Sequence, residues 1–189
     1  NYTREDQDSF AAESYRRSME SITNGSFKDE IVAVEIPNRK GDPIIVDTDE
    51  EPGRGKADKI GQIRPAFDKE GTITAANASS INDGAAALTV ISNEKADKLE
   101  ISPLCRIVAH VSAAHEPLYF TTAPSKAITQ VLTKSSLSIE DIDLFEINEA
   151  FSNVTLAAMR GHSIPHEKVN IHGGAVSLGH PIGASGARI

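Results

Sequence analysis

Two rhythms of apolar and polar positions follow one another along the chain, and each change of rhythm predicts an element. Phe10, Ala11, Ser14, Tyr15 and Ser18 recur at helical spacing, with Thr3 and Asp6 placed as a capping pair and Gly25 as the stop. Ile31 to Pro37 alternates with period two and predicts a strand closed by proline. Gly41 to Pro65 is polar, rich in glycine and charge, and predicts a loop. Ala75 to Ala87 is built of small residues around an Asx/Gly turn at Asn82-Asp83-Gly84, and Ala86 to Ser92 then predicts a buried strand. A short helix over Glu94 to Lys98 leads to a strand at Arg106 to Val111, and a helix follows from about Ser125 to Thr133. Leu144 to Ile147 predicts a short strand, Ala150 to Arg160 a helix ended by Gly161, and Ile182 to Ile189 the start of another helix. Strands alternating with helices predict an α/β fold with helices packed on a sheet. There is no tandem repeat or low-complexity segment.

Composition narrows the function classes. The 189 residues suffice for one large domain or pieces of two. The net charge of −8, from 27 acidic against 19 basic residues, argues against a general nucleic-acid or membrane-surface binder. No apolar run approaches the roughly 18 residues of a membrane span. The chain starts at Asn1 without methionine and stops at Ile189 inside a helical pattern, so the reading is an internal fragment of a longer protein. Its single cysteine, Cys105, excludes an internal disulfide. It lies in the apolar run SPLCRIVAHV, where burial is the expectation.

Two regions carry candidate chemistry. Asn170 to Ile189, NIHGGAVSLGHPIGASGARI, crowds five glycines, one proline and two histidines among small and apolar side chains. His180 stands between Gly179 and Pro181 beside a helix start, a setting suited to acid–base work and oxyanion stabilisation. Arg54, Lys56, Lys59 and Arg64 form the only basic cluster of an acidic chain. It is either a solvated connecting loop or a seat for an anionic ligand.

Three blocks together resemble the thiolase family: GTITAANASSINDGAAA (71–87), EINEAFS (146–152) and the glycine-rich segment at 170–189. Within the family, the last block is most similar to the mitochondrial-type members that act on acetoacetyl-CoA. The resemblance implies a thiolase fold, layered α/β/α/β/α, of which this chain is a fragment. Residues 1–75 would form a partial CoA-binding loop domain, 76–98 the end of the N-terminal thiolase domain, and 99–189 a truncated C-terminal thiolase domain.

The resemblance also implies a reaction, a reversible Claisen condensation of two acetyl-CoA to acetoacetyl-CoA plus CoA. One cysteine takes the acetyl group and a second moves a proton. His180 matches the histidine that activates the nucleophile and lends a donor to an oxyanion hole, and Asn148 matches the amide that holds a water there. Asn148 also reads, from its position alone, as a helix N-cap. Tyr15, Arg54, Gly55, Lys56, Lys59, Ser79 and Phe151 match positions at or beside coenzyme A, although Phe151 also fits ordinary helix core. Tyr15, Ala75, Ala76, Ala78 and Val176 match the ligands of a potassium ion bound mainly by backbone carbonyls. Neither family cysteine is present, and Cys105 stands in neither context, so the fragment alone is expected to be inactive. A homotetramer and a mitochondrial location follow from the subtype. The rival expectations are a thiolase of longer 3-ketoacyl-CoA chains and a non-catalytic acyl-CoA or lipid carrier. A nucleotide-binding module fails, because no G-x-G-x-x-G follows a strand in a βαβ setting.

Overall fold

Helix α1, Arg4–Asn24, opens the chain with a complete capping box. The Asp6 N–H donates to Thr3 Oγ1 at 3.1 Å, and the Thr3 N–H donates to Asp6 Oδ2 at 2.8 Å. Gly25, in the left-handed region, ends the helix as predicted. The structure, a computed structural model, describes residues 2–189. The buried stripe of α1 is Gln7, Phe10, Ala11, Ser14, Ser18 and Ser21, so four of its six side chains are hydroxyl or amide. Buried hydroxyls need partners. Ser14 and Ser18 find one in Ser177, at 2.9 and 2.6 Å, which ties α1 to the glycine-rich segment near the other end of the chain. Arg17 reinforces the tie, donating to the carbonyls of His166, Val169 and Asn170. Glu13 in turn accepts from Arg16 and Arg17, and these guanidinium bonds hold its carboxyl down to about 2. Phe10 stacks on the His166 ring with centroids 5.0 Å apart.

A second packed unit joins α4 (Ala123–Ser135) to α5 (Ser152–His162). Its core is Ile147, Ala158, Ile164 and Val169, with Ile128, Ile139, Phe145 and Met159 against it. Helix α5 runs past Gly161 and stops at Ser163, whose φ of 55° makes the left-handed cap. Gly161 instead lies beside Ser125, where an added Cβ would stand 3.0 Å from Oγ.

The predicted strand at 31–37 is realised as β1, Val34–Ile36, and pairs antiparallel with β2, Ile44–Val46. The segment read as loop over 41–65 therefore holds a strand, and it also holds the short helix α2 (Glu51–Arg54) and a 3-10 helix (Ala57–Gln62). The helix read at 94–98 is present as α3, Asn93–Lys98. The last two helices are α6 (Ala175–Leu178) and α7 (Ile182–Arg188).

The strands read at 86–92 and 106–111 form no ladder among the described residues, and Leu88, Val90, Ile107 and Val108 are exposed rather than buried. Cys105 is likewise exposed, against the expectation of burial. The reason is pairing: a strand exists only beside a neighbour that exchanges hydrogen bonds with it, and these segments have none among the described residues. The surface area records the same fact. The chain exposes 13024 Å², against about 8,800 Å² for a compact monomer of 20.2 kDa. Leu144–Ile147 is reduced to a parallel bridge between Phe145 and Val169.

Candidate active site

His180 is delivered by a turn, not by a helix. After α6 the chain passes through Gly179 at φ 87°, ψ 167°, a conformation that side chains with a Cβ rarely adopt. A Cβ at Gly179 would also overlap the Asn82 side-chain amide. The His180 N–H would extend α6 by bonding the Val176 carbonyl, but it donates instead to Ser80 O at 3.0 Å and Asn82 Oδ1 at 3.1 Å. Ser80 Oγ donates to the same Asn82 oxygen at 2.8 Å. Asn82 therefore fixes the His180 backbone, a role that sequence reading missed because it took the residue for turn chemistry alone.

The half-buried imidazole meets two side chains. Asn148 Nδ2 lies 3.3 Å from Nε2, and Ser185 Oγ lies 2.7 Å from Nδ1. The two residues expected to work together are thus brought together across 32 positions of sequence. Asn148 is not a helix cap, because α5 begins at Ser152 with Phe151 in the cap position. The bridge between Ala78 and Phe151 keeps that stretch extended and postpones the helix by a few residues.

Beside Asn148, Glu149 is 1% exposed and surrounded by donors. Ser14 Oγ donates to Oε2 at 2.7 Å, the Val176 N–H donates to Oε2 at 3.1 Å, and Asn170 Nδ2 donates to Oε1 at 2.8 Å. Burial pushes its carboxyl up, and the three donors pull against that. The Asn170 amide cannot turn round, since Ile147 N–H donates to its Oδ1 and its Nδ2 also donates to Ile147 O, both at 2.8 Å. Gly174 leaves room for the carboxylate, whose position any Cβ there would invade. Sequence reading missed Glu149. Locally it is one of two acids, Glu146 and Glu149, in a short polar turn, with nothing to mark it as buried.

The residues matched to coenzyme A fall into two groups. Arg54, Gly55, Lys56 and Lys59 lie exposed on α2 and the following 3-10 turn. Arg54 is engaged locally, pairing with Glu50 at 3.1 Å and Glu51 at 3.3 Å. Gly55 lies against the Tyr15 ring, which an added Cβ would overlap. Ser79 and Phe151 form the second group, joined by the bridge at Ala78, with Ser79 Oγ donating to Ala150 O at 3.0 Å. Phe151 is half-buried, edge-on to Phe67 and Phe120 at 6.5 and 6.1 Å, so it borders an exposed aromatic cluster rather than a closed core.

The candidate potassium ligands sit on elements that pack together. α1, which carries Tyr15, touches both α2 and α6, the helix of Val176. The Thr74–Asn77 turn carries Ala75 and Ala76, and Ala78 follows it directly. Among the described residues, the carbonyls of Ala75, Ala76, Ala78 and Val176 accept no hydrogen bond. The Tyr15 hydroxyl is held protonated by burial first and the Glu51 carboxylate second. Neutral oxygens without protein donors suit a large monovalent cation, and among the described residues no cluster of His, Cys, Asp and Glu offers a site for a divalent metal. His162 and His172 have structural partners, Ser125 and Ser21, each at 2.9 Å.

Comparison with known proteins places this geometry. Residues 1–94 match Thiolase, N-terminal domain, and residues 101–189 match Thiolase, C-terminal domain. This chain belongs to the thiolase family. An acetyl-CoA acetyltransferase of Yarrowia lipolytica is 56% identical over 187 residues, covering 99% of this chain and 47% of the relative. The crystal structure of the Bacillus anthracis acetyl-CoA acetyltransferase superposes with a TM-score of 0.94 at 42% identity, covering 99% of this chain and 48% of that one. Acat5 thiolase from Ascaris suum, solved in complex with coenzyme A, gives a TM-score of 0.88 at 40% identity over the same shares. The fold is therefore the α/β thiolase fold, and the chain spans about half the length of the curated relatives it matches. No described helix is long and apolar enough to cross a membrane.

Proposed function

We propose that this chain supplies the His180–Asn148 half of an acetyl-CoA C-acetyltransferase, which interconverts two acetyl-CoA with acetoacetyl-CoA plus CoA. The observation that carries the reading is the pairing of Asn148 Nδ2 with His180 Nε2 at 3.3 Å, which places an amide donor and an imidazole at one point. In the cleavage direction a cysteine thiol outside residues 1–189 gives its proton to His180 Nε2. Its sulfur then bonds the ketone carbon of acetoacetyl-CoA, the bond to the neighbouring carbon breaks, and acetyl-CoA leaves once its carbanion is protonated by a second cysteine. CoA finally gives its thiol proton to the second cysteine and takes the acetyl group, while the released first cysteine regains its proton from His180. The protonated His180 and Asn148 are the donors that meet negative charge as it develops on oxygen.

In this reading the pantetheine arm of CoA runs past Ser79 and Phe151, where an exposed aromatic edge is available. Its phosphates lie toward Arg54, Lys56 and Lys59, with Gly55 and Tyr15 between the two groups. Potassium, held by Tyr15 and the carbonyls of Ala75, Ala76, Ala78 and Val176, would brace α6 against α1 and so steady the turn that carries His180. A homotetramer and a mitochondrial location belong to the same subtype reading.

Cleavage of acetoacetyl-CoA by CoA in the full-length protein, followed in potassium and then in sodium buffer, tests both levels. The expected result is turnover that falls when sodium replaces potassium. Equal rates in the two buffers would remove the ion, and CoA binding without turnover would remove the acyl transfer.

A further inference from the structure

The His180 ring sits in a chain of polar contacts between Asn148 and Ser185. Asn148 Nδ2, a donor, lies 3.3 Å from Nε2, a contact that becomes a hydrogen bond when Nε2 accepts. A neutral imidazole that accepts at Nε2 carries its proton on Nδ1. That proton points at Ser185 Oγ, 2.7 Å away. Ser185, 4% exposed, directs its own hydroxyl proton to Pro181 O at 3.2 Å, one turn back along α7, so its oxygen is free to accept. Among the described residues, no charged side chain bonds the ring.

We propose that Ser185 is a positioning residue that holds His180 in its Nδ1–H form, so that Nε2 carries the lone pair which Asn148 meets here and which takes the thiol proton in the reaction. The inference rests on the reading of His180 as the base. A hydroxyl at this place does something a carboxylate would not. It selects the tautomer without adding a negative charge that stabilises the imidazolium, so the proton taken at Nε2 is readily returned. That suits a reaction run in both directions. Because Ser185 lies five residues after His180 in the same turn and helix, the ring and its orienting group move as one piece.

The test is ¹⁵N NMR of the histidine side chains in the full-length protein at a pH where His180 is neutral, with kinetics alongside. The wild type is expected to show His180 protonated on Nδ1. Ser185→Ala is expected to move the ring toward the Nε2–H form and to lower kcat about 10- to 100-fold with KM for CoA little changed. That loss is smaller than the about 10⁴-fold seen when a catalytic histidine is held in the wrong tautomer by its orienting group. Ser185→Thr keeps the hydroxyl and is expected to restore both readouts. An Nε2–H ring in the wild type, or the same tautomer in wild type and Ser185→Ala, would overturn the inference. So would a kcat loss in Ser185→Ala that Ser185→Thr does not repair. Failure of the functional reading is seen separately, as unchanged turnover in His180→Ala, and leaves the tautomer measurement intact.

Discussion

Replacing His180 by alanine is expected to lower turnover of the full-length protein by about 10²–10⁴-fold, the range for loss of a positioned general base. The change removes the Nε2 acceptor that faces Asn148 and the Nδ1 contact to Ser185. It leaves the backbone bonds from His180 to Ser80 and Asn82 in place, because they use the peptide N–H. The turn therefore keeps its shape, and the affinity for CoA is expected to stay within a few-fold of wild type. Comparing kcat with the CoA dissociation constant separates the two effects. A variant with near-normal turnover would show that His180 is not the base.

The second large effect is on stability. Three donors converge on Glu149, so Glu149→Ala leaves Ser14 Oγ, Asn170 Nδ2 and the Val176 N–H without their acceptor in a buried site. At about 1–3 kcal/mol for each buried group left unpaired, and with some relaxation, the expected loss is about 3–5 kcal/mol. Glu149→Gln is the sharper variant. Because Ile147 locks the Asn170 amide, a glutamine sets an NH₂ against Asn170 Nδ2 in one orientation and against the Val176 N–H in the other. The isosteric change is still expected to cost about 1–3 kcal/mol in denaturant unfolding of the full-length protein. A neutral Glu149→Gln would mean that the carboxylate does not bind α6 to the turn beside Asn148.

What was legible in the sequence is what local chemistry specifies. The capping box at Thr3 and Asp6 and the stop at Gly25 are each written within a few residues, and each is present. The HPIG turn was legible for the same reason, since glycine and proline restrict the backbone wherever the rest of the chain goes. The apolar runs at 86–92 and 106–111 carry a strand-like pattern. A pattern supplies only one side of a ladder, however, and no described residue supplies the other. Cys105, exposed within that unpaired region, was misjudged by the same logic. Glu149 was invisible for a different reason. Its partners Ser14, Asn170 and Val176 lie 135, 21 and 27 positions away, and nothing local separates a buried, saturated carboxylate from a surface one. Asn148 was readable as a cap or as a site residue. The bridge from Phe151 to Ala78 removed the cap reading by starting α5 at Ser152.

The central claim is acetyl transfer through a thiol activated by His180, and its most direct measurement is the mass of the full-length protein after mixing with acetoacetyl-CoA in the absence of free CoA. The account predicts one acetyl group per chain, on a cysteine other than Cys105, discharged when CoA is added and forming far more slowly in His180→Ala. A protein that binds acetoacetyl-CoA yet gains no acetyl group, or gains it equally fast without His180, would contradict it.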